Sequence, residues 1–203
     1  ALIFGTSLSF FSVIALDYFA NTISAALLLF TILFYVFIYT IWLKRKTPQN
    51  IVIGGAAGAL PPVIGWTIAT NSLSFEPITF FLIIFFWTPS HFWALSLYKS
   101  DDYKKAKIPM LPLTNGIEST KINILVYSLL MLPMVILPYA IDFVGLVFLV
   151  PALMLTLYYN FLCFELYMYK KNKFNPKKAK TIFGYSILYL FLIFVIFLID
   201  KIL

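Results

Sequence analysis

The residue types able to do chemistry gather between Trp87 and Pro112. The run reads Trp87-Thr88-Pro89-Ser90-His91-Phe92-Trp93, then Lys99-Ser100-Asp101-Asp102-Tyr103-Lys104-Lys105, then Ile108-Pro109-Met110-Leu111-Pro112. Asp101 and Asp102 are adjacent carboxylates, and a hard divalent cation such as Mg²⁺ is typically held by one or two carboxylates together with phosphate oxygens and water. Lys99, Lys104 and Lys105 beside them suit phosphate charge. Acids and bases clustered in this way fit a metal-bound diphosphate better than a bare cation. The plainer reading is a solvated loop that balances its own charges. His91, the single histidine, lies about two turns before the loop inside an apolar segment. An ionisable residue within a span is a functional-site candidate. Its imidazole can ligate haem iron, bind a carboxylate or move a proton, with a packed structural histidine as the competing reading. A second polar cluster, Lys44-Arg45-Lys46-Thr47-Pro48-Gln49-Asn50, reads on charge alone as a determinant of orientation in a membrane.

The elements that position these groups must be membrane helices. Of the 203 residues, 62% are hydrophobic and 11% charged, and the mean hydropathy is +0.95. Ordinary globular chains carry about 25% charged residues. Apolar stretches near the roughly 20 residues needed to cross a bilayer recur along the whole chain, whereas the alternation of a transmembrane barrel is absent. An all-α, polytopic transmembrane bundle is therefore expected. The single cysteine, Cys163, sits in an apolar segment and excludes a disulfide within the chain. The net charge of +7 resides in short loops, so it speaks for orientation in the membrane and not for nucleic acid. The chain starts at Ala1 inside apolar sequence with no basic region before it, which suggests a fragment rather than a cleaved signal peptide.

Seven segments are expected, at residues 1–16, 22–43, 51–70, 76–98, 122–141, 144–168 and 181–199. Even-to-odd connectors hold Lys44 to Lys46, then Lys99, Lys104, Lys105, Lys107 and Lys121, then Lys170, Lys171, Lys173, Lys177, Lys178 and Lys180. The opposite connectors hold Asp17, Glu76 and Asp142, with only Lys201 on that side. This is the positive-inside pattern, and it places Asp101-Asp102 on the cytoplasmic or matrix face. The third segment differs from the rest. Gly54 and Gly58 have the spacing that lets helices approach closely, and Pro61-Pro62 must distort the helix because neither ring nitrogen donates a backbone hydrogen bond. The plainer reading is tight packing with a kink, and the alternative is a kinked helix that lines a cavity.

These stretches also resemble a known family. Trp42 to Ala59 (WLKRKTPQNIVIGGAAGA), Pro61-Pro62-Val63-Ile64-Gly65-Trp66, Trp87 to Leu95, Asp101-Asp102-Tyr103 and Pro109-Met110-Leu111-Pro112 resemble the haem branch of the UbiA-type intramembrane prenyltransferases, the protohaem IX farnesyltransferases. The resemblance covers essentially the whole chain. It implies nine spans with two metal-binding motifs on the cytoplasmic side, an Asn/Asp-rich loop after span two and an acidic loop after span six. The acidic loop here follows the fourth segment, so the seven segments match spans three to nine. Residues 1–203 are then one transmembrane prenyltransferase domain without the first motif, inactive alone, with the full-length parent as the enzyme. Here the carboxylates are adjacent, where the wider superfamily commonly spaces them DxxxD.

The implied reaction transfers a farnesyl group from farnesyl diphosphate to a vinyl group of haem B, giving haem O and diphosphate for terminal oxidases. The resemblance assigns Asp101 and Asp102 to Mg²⁺, with Asp102 favoured. Asp102, Asp101 and Lys104 are expected to be catalytic. His91, Lys44, Arg45, Asn50, Lys99, Tyr103 and Lys105 are expected to bind substrate, with haem B as substrate rather than cofactor. Trp66, Trp87, Phe92 and Trp93 are candidates to face a cationic intermediate. Expected surroundings are the lipid bilayer of a bacterial inner membrane, rather than a mitochondrial one, with haem A synthase or terminal oxidase assembly as associates. Two other readings compete. One is a prenyltransferase acting on an aromatic quinone precursor, the other a non-enzymatic transporter or assembly factor whose kinked segments line a path.

Overall fold

A computed structural model describes residues 2–169 and 175–203, so the expected loop lysines Lys170, Lys171 and Lys173 lie outside the described residues. The helices are α1 (Leu2–Phe19), α2 (Thr22–Leu33, continuing as a π-helix over Phe34–Leu43), α3 (Asn50–Ala59), α4 (Pro61–Thr70), α5 (Glu76–Tyr98), α6 (Ser100–Lys105), α7 (Leu111–Thr114), α8 (Gly116–Ala140), α9 (Leu146–Met168) and α10 (Pro176–Ile202). Seven stretches are long and apolar enough to cross a membrane, with α3 and α4 together forming one of them. The chain is a polytopic helical bundle, as its composition requires.

Local chemistry explains where the expected boundaries moved. The first helix runs on to Phe19, through the turn expected at Asp17, and stops where Asn21 caps α2 by accepting from the Ser24 amide at 2.8 Å. The loop expected over 99–121 is largely helical. It holds α6 and α7, and α8 begins at Gly116, where Glu118 sits in the first turn and complements the helix dipole. Lys121 is wholly buried in that turn, paired with Glu118 at 3.0 Å and donating to the Tyr169 carbonyl. The last helix starts early because Asn175 caps it and Pro176 occupies its first position.

Spans α5, α8, α9 and α10 pack in a ring and hold the core: Trp93, Tyr159, Tyr189, Phe148, Met131 and Cys163 are all buried there. Apolar burial does not drive helix association in lipid, so packing and hydrogen bonds between spans must hold the ring. Ser90 bonds Tyr159 at 2.9 Å between α5 and α9, and Thr156 bonds Tyr189 at 3.0 Å between α9 and α10. At the opposite end from α6, Asp200 accepts from the amides of Gly145 and Phe148 and closes the N-terminus of α9. The pair α3/α4 flanks α5, α2 lies against both, and α1 packs on α2 with no buried residue of its own.

The expected distortion at Pro61-Pro62 is a complete break at Leu60, which separates α3 from α4. The close helix approach expected at Gly54/Gly58 is present at Gly54, against α2, and absent at Gly58. A Cβ at Gly54 would lie 2.3 Å from the Tyr39 ring, and one at Gly55 would lie 2.9 Å from Thr88 Cγ2, whereas one at Gly58 would meet nothing within 4 Å. Gly55 is the glycine that brings α3 onto α5, and Gly58 faces open space.

Candidate functional site

Two cavities bordering α5 are lined by the described residues. The larger, about 430 Å³, lies between α5 and α10 and is lined by Trp87, His91, Ile187, Leu190, Phe191, Phe194, Val195 and Leu198. The smaller, about 310 Å³, lies between α2, α3 and α5. Tyr35 and Tyr39 form one wall, Ile51, Gly54, Gly55 and Gly58 the second, and Ile84, Trp87, Thr88 and Phe92 the third, with Leu190 behind. Trp87 and Leu190 border both cavities. Each volume falls in the range of small-molecule sites, roughly 300–1,000 Å³, and each lining is mostly apolar.

The residues around His91 hold it in one orientation. Its ring stacks between Trp87, with centroids 4.2 Å apart, and Phe183 at 4.6 Å. Nδ1 lies 2.6 Å from Ser186 Oγ. The Ser186 hydroxyl donates to the Phe183 carbonyl at 2.6 Å, so its oxygen accepts from His91 Nδ1–H. This arrangement is the tautomer in which Nε2 carries the lone pair; the reverse, with the hydroxyl donating to Nδ1, fits the same distance. Nε2 makes no hydrogen bond among the described residues, and the imidazole borders the larger cavity. Trp87 is fixed in turn by its indole N–H, which donates to the Ser186 carbonyl at 2.9 Å. Pro89 leaves a gap in the α5 ladder, and Thr88 and Ser90 turn their hydroxyls back to the carbonyls of Ile84 and Trp87.

Asp101 and Asp102 stand exposed in the first turn of the short helix α6, which begins two residues after α5 ends. Asp102 pairs with Lys99 at 3.3 Å. Neither carboxylate lines a cavity. His91 lies seven residues before the end of α5, about 10 Å deeper at a rise of about 1.5 Å per residue, so the structure does not bring the histidine and the acidic pair into contact. No group of three or more His, Cys, Asp or Glu side chains is arranged for a metal among the described residues. An open pair of this kind suits only a cation that takes its remaining ligands from substrate and water.

Of the second polar cluster, Lys44 reaches the rim of the smaller cavity. Lys44 Nζ lies 5.7 Å from the centre of the Tyr39 ring, a cation–π contact. Tyr103 of α6 comes close enough to Tyr39 for the two phenols to interact. Burial, and after it the Tyr98 phenol, pushes the Tyr103 hydroxyl above its ordinary range. Arg45, Lys99, Lys104 and Lys105 are exposed on the connectors at this end of the spans. Asn50 is placed differently from an open substrate contact. It is fully buried at the start of α3 and donates to the Thr47 carbonyl at 2.6 Å, with its Oδ1 left without a partner. Of the aromatic candidates, Trp87 and Phe92 line cavities, whereas Trp93 is buried against Tyr127 and Trp66 packs edge-on to Phe143.

Sequence reasoning missed Ser186, Phe183, Tyr35 and Tyr39. Ser186 left a faint signal, the single serine of the expected segment 181–199. The tyrosines left their spacing as a signal, since residues four apart share one face of a helix, and here their ring centres lie 5.0 Å apart.

Comparison with known proteins agrees with this architecture. Residues 1–187 match the UbiA prenyltransferase family. A protein of Pelagibacter ubique (strain HTCC1062) named protoheme IX farnesyltransferase is 97% identical over 203 residues, covering 100% of this chain and 67% of its own length. Proteins of the same name from Parvibaculum lavamentivorans and Rhodopseudomonas palustris (strain BisB5) are 50% and 48% identical, covering 100% and 98% of this chain and 64% of their own length in each case. The chain thus spans about two thirds of the length of these relatives. No solved structure matches it.

Proposed function

For a chain that belongs to the UbiA prenyltransferase family, we propose the transfer of a farnesyl group from farnesyl diphosphate to a vinyl group of haem B, giving haem O and diphosphate. The observation that carries this reading is the pair of apolar cavities that share Trp87 and Leu190, one with Lys44 over its Tyr39 wall and the other bordered by the His91 imidazole. Two dissimilar hydrophobic substrates need two compartments that touch at the reacting carbons.

Farnesyl diphosphate places its tail in the smaller cavity and its headgroup at the mouth, near Lys44, Tyr103 and the α6 residues Asp101, Asp102, Lys104 and Lys105. The donor set, two exposed carboxylates with no third protein ligand among the described residues, fits Mg²⁺ shared with a diphosphate. Such an ion would supply positive charge to the leaving group. The chain's lysines do the same, which favours departure by stabilising the charge that develops. Lys99 holds Asp102 in place until substrate arrives.

Haem B occupies the larger cavity, where His91 Nε2 is the nitrogen available to its iron, and Ser186 keeps that lone pair aimed inward. The vinyl group meets the allylic carbon beside Trp87, whose π face stabilises positive charge there. The bond from the allylic carbon to the diphosphate oxygen breaks, and the vinyl terminus forms the new carbon–carbon bond. Water then adds to the remaining cationic carbon and loses a proton, which leaves the hydroxyl of the product. The apolar lining keeps other water away until that step. The chain acts as one multi-pass domain of a bacterial inner membrane, its basic loops and α6 cytoplasmic, beside haem A synthase or terminal oxidase assembly.

The test is incubation of protein-bearing membranes with haem B, farnesyl diphosphate and Mg²⁺, followed by chromatographic separation of the haems. Haem O with equimolar diphosphate is the expected result. Prenylation of an aromatic quinone precursor instead, or substrate movement with no diphosphate release, overturns the reading.

A further inference from the structure

Gly58 stands at the inner end of the smaller cavity. Gly55 of α3 packs on Thr88 of α5, so these antiparallel spans share a level there. From that level Ile51 and Phe92 lie toward the mouth, and Gly58 and Ile84 lie away from it. From Ile51 to Gly58 the cavity wall descends about 10 Å at a rise of about 1.5 Å per residue. The glycines on this wall have different neighbours. Gly54 is pressed by Tyr39 and Gly55 by Thr88, whereas a Cβ at Gly58 would find nothing within 4 Å. Gly58 lies one helical turn below Gly54 on the side of α3 that meets α2, it is exposed, and the open space beside it borders the cavity that it lines with Tyr35.

We propose that Gly58 sets the length of isoprenoid tail the cavity admits, by leaving open the space that the last isoprene unit fills. The inference rests on the reading of this cavity as the tail compartment. With the headgroup held at the mouth beside Lys44 and Tyr103, the first units of the tail pass between Tyr39 and Phe92, and the final unit reaches the level of Tyr35, Ile84 and Gly58. A methyl at Gly58 enters that space without touching any protein atom, and larger side chains extend further across it, so the series shortens the compartment and leaves its mouth intact. Gly54 and Gly55 cannot act in this way, since side chains there collide with the walls.

The experiment is a graded series, Gly58→Ala, Gly58→Leu and Gly58→Phe, in the intact protein reconstituted in nanodiscs. The affinities for geranyl, farnesyl and geranylgeranyl diphosphate are measured by calorimetry, and haem B turnover is followed in parallel. The expected result is a farnesyl diphosphate affinity that falls stepwise with side-chain size, about tenfold or more for Leu, the scale of a few methylenes denied burial. Geranyl diphosphate, one unit shorter, should change by less than about threefold on the same scale. Thermal midpoints should stay level across the series. Equal loss for both diphosphates, or no change for either, overturns the role of Gly58. The haem reaction is judged separately, by turnover of the native protein, so a chain that binds diphosphates with this length dependence but forms no prenylated haem sinks the proposed function and leaves the Gly58 inference standing.

Discussion

Replacing Ser186 by alanine should loosen haem far more than it loosens the fold. Ser186 Oγ is the only described acceptor for His91 Nδ1–H, at 2.6 Å, and the imidazole is buried between Trp87 and Phe183. A buried donor left unsatisfied costs about 1–3 kcal/mol. The histidine can escape that cost only by moving its proton to Nε2 or by turning its ring, and either escape removes the lone pair from the larger cavity. The penalty therefore falls on the haem-binding arrangement. At about 1.4 kcal/mol per tenfold it corresponds to a haem affinity weaker by about ten- to a hundredfold. Stability should fall less, by about 1 kcal/mol for one lost hydrogen bond. The assay is titration of haem B into the purified protein, read by the shift of its main visible absorption band, with farnesyl diphosphate affinity and thermal midpoint as controls. Ser186→Thr, which keeps the hydroxyl, should recover much of the native affinity. An unchanged haem affinity and spectrum in folded Ser186→Ala would refute the reasoning. So would an equal loss of farnesyl diphosphate affinity, which would point to general loosening of α10.

Gly55→Ala puts a methyl 2.9 Å from Thr88 Cγ2 in the α3–α5 contact and should destabilise the protein by about 1–3 kcal/mol, measured as a lower thermal midpoint. Gly54→Ala drives the Tyr39 ring aside and should weaken farnesyl diphosphate binding more than haem binding, measured by parallel titrations. Asp200→Ala removes the acceptor shared by the Gly145 and Phe148 amides and should cost about 0.5–2 kcal/mol of stability while substrate affinities stay unchanged. Tyr103 keeps its proton in the folded protein at a pH where an unfolded tyrosine, near pKa ~10, releases it. Stability should therefore decline as pH rises past the ordinary tyrosine range, and Tyr103→Phe should flatten that decline in alkaline melting curves.

The spans were legible because lipid demands long apolar runs, and the alternation of Lys-rich with Lys-free connectors constrained their number. Capping explains one missed boundary: Asn175 begins a helix that hydropathy alone starts late. The break at Leu60 followed directly from two adjacent prolines. The chemistry-bearing types were also visible, since His91, Asp101 and Asp102 are conspicuous in so apolar a chain. Their mutual placement was not. The depth separating His91 from α6, the stacking of Phe183 on the imidazole and the hydrogen bond between its Nδ1 and Ser186 all arise from α10 lying against α5, a contact between residues more than ninety positions apart. Gly58 shows the same limit. Its spacing from Gly54 pointed to a helix contact, and only the packed arrangement reveals that one glycine is pressed by an aromatic ring while the other meets open space.

The central claim, that the acidic pair on α6 holds the diphosphate at the mouth of a two-substrate chamber, is tested most directly by haem O formation in the Asp101→Asn/Asp102→Asn double variant. Both side chains are exposed, and the Lys99 pair lost with Asp102 is worth at most about 1 kcal/mol, so the fold should persist. The predicted result is turnover reduced by about a hundredfold or more, with haem B affinity retained at the distant His91. Native turnover in the folded double variant, at native Mg²⁺ dependence, would contradict it.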